Sequence, residues 1–155
     1  MPELNDGDPA PDFDLETDAG RVRLAELTGR LVVLYFYPKD DTPGCTKEAI
    51  GFSERKSEFD SLDAVVIGVS KDTAASHAKF RAKHRLDLVL ASSSDNVMLE
   101  RYGVWIEKSM YGRNYMGVER ATFLIDREGR IQRLWRKVKV PGHVEAVIEA
   151  AKAIA

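Results

Sequence analysis

The chain has 155 residues, of which 23 are basic, 25 acidic and 44% hydrophobic, for a formal charge of −2. That is enough chain for one domain with a real core over residues 1–155, and the charge balance gives no overall bias towards nucleic acid or a membrane surface. A single cysteine, Cys45, excludes an intrachain disulfide and a cysteine-based zinc site.

From the start, Met1 to Asn5 carries no basic residue and no apolar core follows it, so no secretory leader is expected. Phe13 to Leu15 and Val22 to Leu24 read as short strands either side of the turn Asp18-Ala19-Gly20. Leu31 to Tyr37 is the longest apolar run, far too short for a membrane span, and reads as a strand buried on both faces. Together these features suit a soluble, reducing compartment such as the cytoplasm. Lys39 to Gly44 is a polar turn, and from about Cys45 the pattern becomes helical, with Ala49, Ile50 and Phe52 apolar and Lys47, Glu54, Arg55 and Lys56 polar. Ala64 to Val69 is a second continuous apolar run, and Ser70 to Thr73 supplies caps for a helix from about Ala74 to His84.

Leu86 to Leu90 reads as a third short strand, and Ser92 to Asp95 as a cap for a helix carrying Val97, Met98 and Tyr102. Lys108 to Gly117 lacks periodicity and reads as a loop. Thr122 to Ile125 and Ile131 to Trp135 flank a glycine-containing hairpin connection, and Arg133 to Lys139 suits a strand with one solvated face better than a phosphate-binding patch. After Pro141-Gly142, Val144 to Ile154 has the spacing of a final amphipathic helix. Strands alternating with helices argue an α/β domain with a mixed sheet flanked by helices, compatible with a thioredoxin-like fold. His77, His84 and His143 lack ligand spacing, and nothing resembles a nucleotide-binding glycine turn, so neither a metal nor a cofactor is expected. Met98, Met110, Met116, Tyr102 and Trp105 read as packing residues.

Strand, tight loop and helix place Cys45 in a first helical turn. Backbone N–H groups there lack intrahelical partners and favour negative charge, and the thiolate is the reactive form of a thiol. Thr42, three residues earlier, is one turn away. The plainer reading of a lone cysteine is a small buried hydrophobe. A dithiol oxidoreductase is excluded, because threonine stands where the second sulfur of Thr42-Pro43-Gly44-Cys45 would be.

Pro38-x-x-x-Thr42-x-x-Cys45 resembles the active-site signature of peroxiredoxins, and YFYPKDDTPGCTKEAIGF resembles the group called PrxQ or bacterioferritin comigratory protein. Gly7 to Leu15 and Tyr102 to Asp126 are similar to the group's opening strand and later signature block. The resemblance implies that Cys45 is the peroxidatic cysteine, Thr42 its hydroxyl partner, Pro38 its shield from water and Arg120 the active-site arginine. It implies a thiol-dependent peroxidase that reduces hydrogen peroxide and organic hydroperoxides through a Cys45 sulfenic acid, in antioxidant defence.

Many PrxQ members carry a second cysteine five residues after the first. Here that residue is Ile50. The expectation is a one-cysteine cycle resolved by an external thiol: thioredoxin, glutaredoxin or a small thiol. The protein is expected as a monomer or weak homodimer. The competing expectation is a redox sensor or binding module that uses Cys45 once to form mixed disulfides.

Overall fold

The computed structural model describes residues 3–155; Met1 and Pro2, part of the stretch read for a leader, lie outside the described residues. β1 (Asp14–Thr17) and β2 (Gly20–Arg23) form an antiparallel hairpin, followed by a 3-10 turn over Leu24–Leu27. β3 (Leu31–Phe36) leads through a short loop into α1 (Pro43–Glu54), and α2 (Lys56–Ser61) follows at once. β4 (Ala64–Ser70), α3 (Ala74–His84) and β5 (Val89–Ser92) complete a set of three parallel strands with β3. Then come α4 (Val97–Arg101), the hairpin of β6 (Trp105–Met110) and β7 (Arg113–Val118), β8 (Ala121–Ile125), β9 (Ile131–Trp135) and α5 (His143–Ile154).

The main sheet runs β2-β1-β5-β4-β3-β8-β9. β3 lies in its interior, parallel to β4 and antiparallel to β8. Its unbroken apolar run follows from serving two cores at once. Leu31, Val33 and Tyr35 point into a layer with Ala49 and Phe52 of α1, Phe59 of α2, Phe80 of α3 and Val147 of α5. Val32, Leu34 and Phe36 point the other way, against Met98, Leu99 and Tyr102 of the α4 region and Phe123 of β8. The mixed sheet with helices on both faces is the thioredoxin-like α/β arrangement expected from the sequence.

Three local readings are corrected. Lys108 to Gly117 is not a loop but most of the β6–β7 hairpin, joined by Tyr111 and Gly112 at φ 52° and 75°. Both central residues at positive φ make the tight two-residue turn that suits strand twist. Its strands are largely solvated on both faces, so no apolar alternation marked them. The third strand starts later than Leu86: Leu86 and Leu88 are buried, but pairing with β4 begins only at Val89. The basic stretch after Arg133 leaves the sheet at Trp135, and Arg136 turns to pair with Glu119.

Tyr35 and Gly68 are register partners on β3 and β4, and the tyrosine ring lies over the glycine. A Cβ on Gly68 would lie 2.7 Å from the Tyr35 ring and hydroxyl. The ring has no room to yield, since it stacks on Phe52 at 4.7 Å and packs on Tyr37 at 5.6 Å. Gly68→Ala is therefore expected to destabilise the fold by about 1–3 kcal/mol, as overpacked cores do. Urea unfolding measures this, and an unchanged midpoint would show that the ring is freer than its contacts imply.

Candidate active site

Thr42 caps α1 with an extended backbone, Pro43 occupies the first helical position and Cys45 lies in the first turn. Proline suits that position because its missing N–H would be unpaired in any case. The first intrahelical bond is Thr46 N–H to Thr42 O at 2.8 Å, so the N–H groups of Gly44 and Cys45 emerge at the open end of the helix. Cys45 itself is 1% exposed.

Arg120 reaches this sulfur from 75 residues away. The register of β3 and β8 sets Phe36 opposite Ala121, which brings the residue before β8 beside the loop after β3. Arg120 Nη2 donates to Cys45 Sγ at 3.3 Å, and Nη1 donates to Glu48 Oε1 at 2.7 Å. Gly44 makes the approach possible, since a Cβ there would stand 3.2 Å from Nη2. The backbone of Arg120 is tied on both sides. Glu119 N–H donates to Val104 O at 2.7 Å, and Val138 N–H donates to Arg120 O at 2.9 Å. The Glu119 carboxylate is gripped by Arg136 at 2.7 and 3.1 Å.

Cys45 and Arg120, named from the sequence, are in contact. Thr42 caps the helix that carries Cys45, with a difference of detail. Its hydroxyl donates to Lys39 O at 2.9 Å and does not bond the sulfur. Pro38 lies exposed on the loop, directly after buried Tyr37. The three histidines lie apart: His77 beside Asp40, His84 on Asp41, and His143 with Nε2 2.7 Å from the Thr122 hydroxyl oxygen. Among the described residues, no three His, Cys, Asp or Glu side chains converge as metal ligands, and no helix is long and apolar enough to cross a membrane.

Sequence reasoning missed Glu48, although it stands three residues after Cys45 and so on the same face of the helix. Its carboxyl is 0% exposed, and Oε2 has no hydrogen-bond partner. Burial pushes the group up to about 7, against the pull of Arg120. Burial opposes the charge on Arg120, but the neighbouring Glu48 and Cys45 outweigh it and raise its pKa. Lys108 of β6 was missed too. It is half-buried near Arg120, and burial and then the charge of Arg120 lower its pKa. His143 is pushed down to about 4 by burial and then by Arg120, so this ring adds no charge near neutrality.

Residues 7–134 match the family described as AhpC/TSA. The chain is 48% identical over 147 residues to peroxiredoxin Bcp of Bacillus subtilis, covering 94% of each chain. The structure of a PrxQ mutant from Xylella fastidiosa superposes with a TM-score of 0.92 at 39% identity, over 99% of this chain and 98% of that one. The bacterioferritin comigratory protein of Xanthomonas campestris, studied for alkyl peroxide reduction through trapped intermediate and ligand complexes, superposes with a TM-score of 0.87 at 42% identity, over 91% of this chain and 90% of that one.

Glu48 gives the site a testable pH dependence. A carboxyl whose pKa is about 7 folded and 4.5 in the reference state binds its proton more tightly in the folded chain. Its contribution to stability is full below pH 4.5 and is lost as pH rises through 7. Glu48→Gln keeps an acceptor for Arg120 and removes that titration. Unfolding free energies of the two proteins from pH 5 to 8 should differ by a slope, the wild type declining relative to the variant. Parallel curves would mean Glu48 stays ionised throughout.

Proposed function

The chain belongs to the AhpC/TSA family as a peroxiredoxin of the Bcp, or PrxQ, group, and from that premise we propose that Cys45 runs a one-cysteine cycle of hydroperoxide reduction. It is a thiol-dependent peroxidase, with a peroxide as substrate and a thiol as reductant. The observation that carries the site assignment is the Arg120 guanidinium, divided between Cys45 Sγ and Glu48 Oε1.

The Cys45 thiolate attacks one oxygen of the peroxide. An S–O bond forms as the O–O bond breaks, and the sulfur loses two electrons. The departing oxygen takes a proton and leaves as water or an alcohol, with Cys45 as the sulfenic acid. Arg120 steadies the thiolate and the charge growing on the leaving oxygen, and the N–H groups of Gly44 and Cys45 add donors at the same helix end. Thr42 directs its hydrogen to Lys39 O, so its oxygen lone pairs are what it offers to a peroxide O–H. Pro38 covers the entrance from the loop.

Ionisation is the smaller part of the acceleration. An ordinary thiol of pKa about 8.5 is already ~3% ionised at pH 7, so complete ionisation gives at most about 30-fold. Enzymes typically reach about 10⁶-fold or more, so orientation and charge stabilisation supply the rest.

Among the described residues Cys45 is the one free cysteine, and the sequence has no other. The sulfenic acid is therefore resolved by an external thiol, from thioredoxin, glutaredoxin or a small molecule. That thiol displaces water to form a mixed disulfide, and a second thiol releases reduced Cys45. Cys45, Arg120 and Glu48 meet within one chain, so the proposed cycle runs in a monomer or weak homodimer, and the cytoplasm is the proposed location.

Purified protein with a thiol should consume hydrogen peroxide or an organic hydroperoxide over many turnovers, and Cys45→Ser should not. Equal consumption by both would overturn the reading. Oxidation that stops at one equivalent per chain and captures a partner protein would instead favour the sensor reading.

Arg120→Lys keeps a charge but loses the planar fork that holds sulfur and carboxylate together. Its peroxide rate should fall by about 10-fold or more, since misplacing a reacting group by about 1 Å is costly. Unchanged peroxide kinetics would remove Arg120 from the site. After one equivalent of peroxide, intact mass should rise by one oxygen rather than fall by two hydrogens, and a covalent dimer as the main early product would show that Cys45 is more exposed than its burial implies.

A further inference from the structure

The loop between β3 and α1 holds two aspartates, Asp40 and Asp41, inside the stretch from Pro38 to Thr42. Both are held by α3. Asp40 is buried, and neither carboxylate oxygen is free. Oδ1 accepts the Tyr37 hydroxyl at 2.6 Å, while Oδ2 accepts the Ser76 hydroxyl at 2.8 Å and lies 2.8 Å from His77 Nδ1. The other nitrogen of His77, Nε2, lies 3.1 Å from Ala91 O on β5. The ring is fully buried, with an oxygen within hydrogen-bond distance of each nitrogen, so both ends of it are anchored. Asp41 sits at φ 60° and is held from outside by Lys83 Nζ at 2.7 Å and His84 Nε2 at 2.8 Å.

This clamp acts on one peptide group that touches the reaction centre. The Lys39–Asp40 peptide donates its N–H to Asp72 Oδ2 at 2.9 Å, and its C=O accepts the Thr42 hydroxyl at 2.9 Å. Asp72 is fixed in turn by the Ser70 hydroxyl at 2.7 Å. The orientation of that peptide plane decides where the Thr42 hydrogen points, and so which side of its oxygen is offered to a ligand at Cys45.

We propose that Asp40 and His77 are positioning residues of the peroxide reaction: their buried pair, with Asp72, fixes the Lys39–Asp40 peptide and through it the Thr42 hydroxyl. The proposal rests on the peroxidase reading. Neither side chain reaches the sulfur, so their influence passes through the loop. The anchored side chain belongs to Asp40, whose own N–H is half of the peptide that receives the Thr42 hydroxyl, so holding the side chain holds that peptide.

The test compares two single-turnover rates of Cys45 in the full-length protein: with hydrogen peroxide, which needs Thr42 in place, and with iodoacetamide, which does not. His77→Phe and Asp40→Ala should lower the peroxide rate constant by about 10-fold or more, as misplaced groups do, while alkylation stays the same or rises. Asp40→Asn should recover most of the loss, because the amide keeps a polar partner for Tyr37, Ser76 and His77 in the same shape. Asp72→Ala, at a half-buried position that leaves the Asp40–His77 contact intact, covers the case in which the buried variants do not fold, and it should show the same split between the two rates. Peroxide rates within about 2-fold of wild type in the folded variants, or the two rates falling together, would overturn the proposal; a wild type no faster than free cysteine with peroxide would sink the peroxidase reading itself.

Discussion

A guanidinium shared between a thiol and a carboxylate is the constraint that the rest of this chain satisfies. Arg120 can touch Cys45 only because β3 and β8 are adjacent and in one particular register, with Phe36 opposite Ala121. A slip of one residue along that pair would turn Arg120 to the other side of the sheet. A Cβ at Gly44 would press on the guanidinium at 3.2 Å, and the segment before β8 is held by Val104, Val138 and Arg136. Fold and site are thus set by the same pairings. The core strand that buries most apolar surface is also the strand whose end carries the reactive loop.

The buried charges around the loop fall into two kinds. Asp40 has partners on both oxygens, and although burial works against its charge, His77, Tyr37 and Ser76 keep its pKa below the ordinary value. Glu48 has one partner and one bare oxygen, and burial wins. A carboxylate whose lone pairs are all occupied is held in one state, while one with a vacant oxygen is free to take up a proton. The protein therefore places a fixed charge behind the loop and an exchangeable one behind the arginine.

Much of this was legible in the sequence, for reasons that differ from residue to residue. Leu31 to Tyr37 declared a buried strand by its unbroken apolar run, and Thr73 declared a helix start by its type, accepting from Ser76 N–H at 3.1 Å as caps do. Cys45 at the helix start followed from proline and glycine chemistry alone. Arg120 was different. Nothing local ties it to a thiol 75 residues earlier, and only the resemblance to a family supplied the pairing. Glu48 stayed hidden because a glutamate on a helix usually faces water, and its burial depends on the arginine that meets it. The β6–β7 hairpin escaped because a strand wet on both faces leaves no apolar rhythm to read.

The sheltered sulfur at the start of α1 has a consequence for reagents of different size. At 1% exposure, Cys45 is reachable by something as small as a peroxide but not by the face of another protein. In the proposed cycle, oxidation by a peroxide asks less opening of this closed site than attack by a protein thiol does. Resolution by a protein would then depend on how readily the first turn opens. Residues that steady the turn would hasten the encounter with peroxide and delay the return to the thiol, so the fold strikes a compromise between the two halves of one reaction.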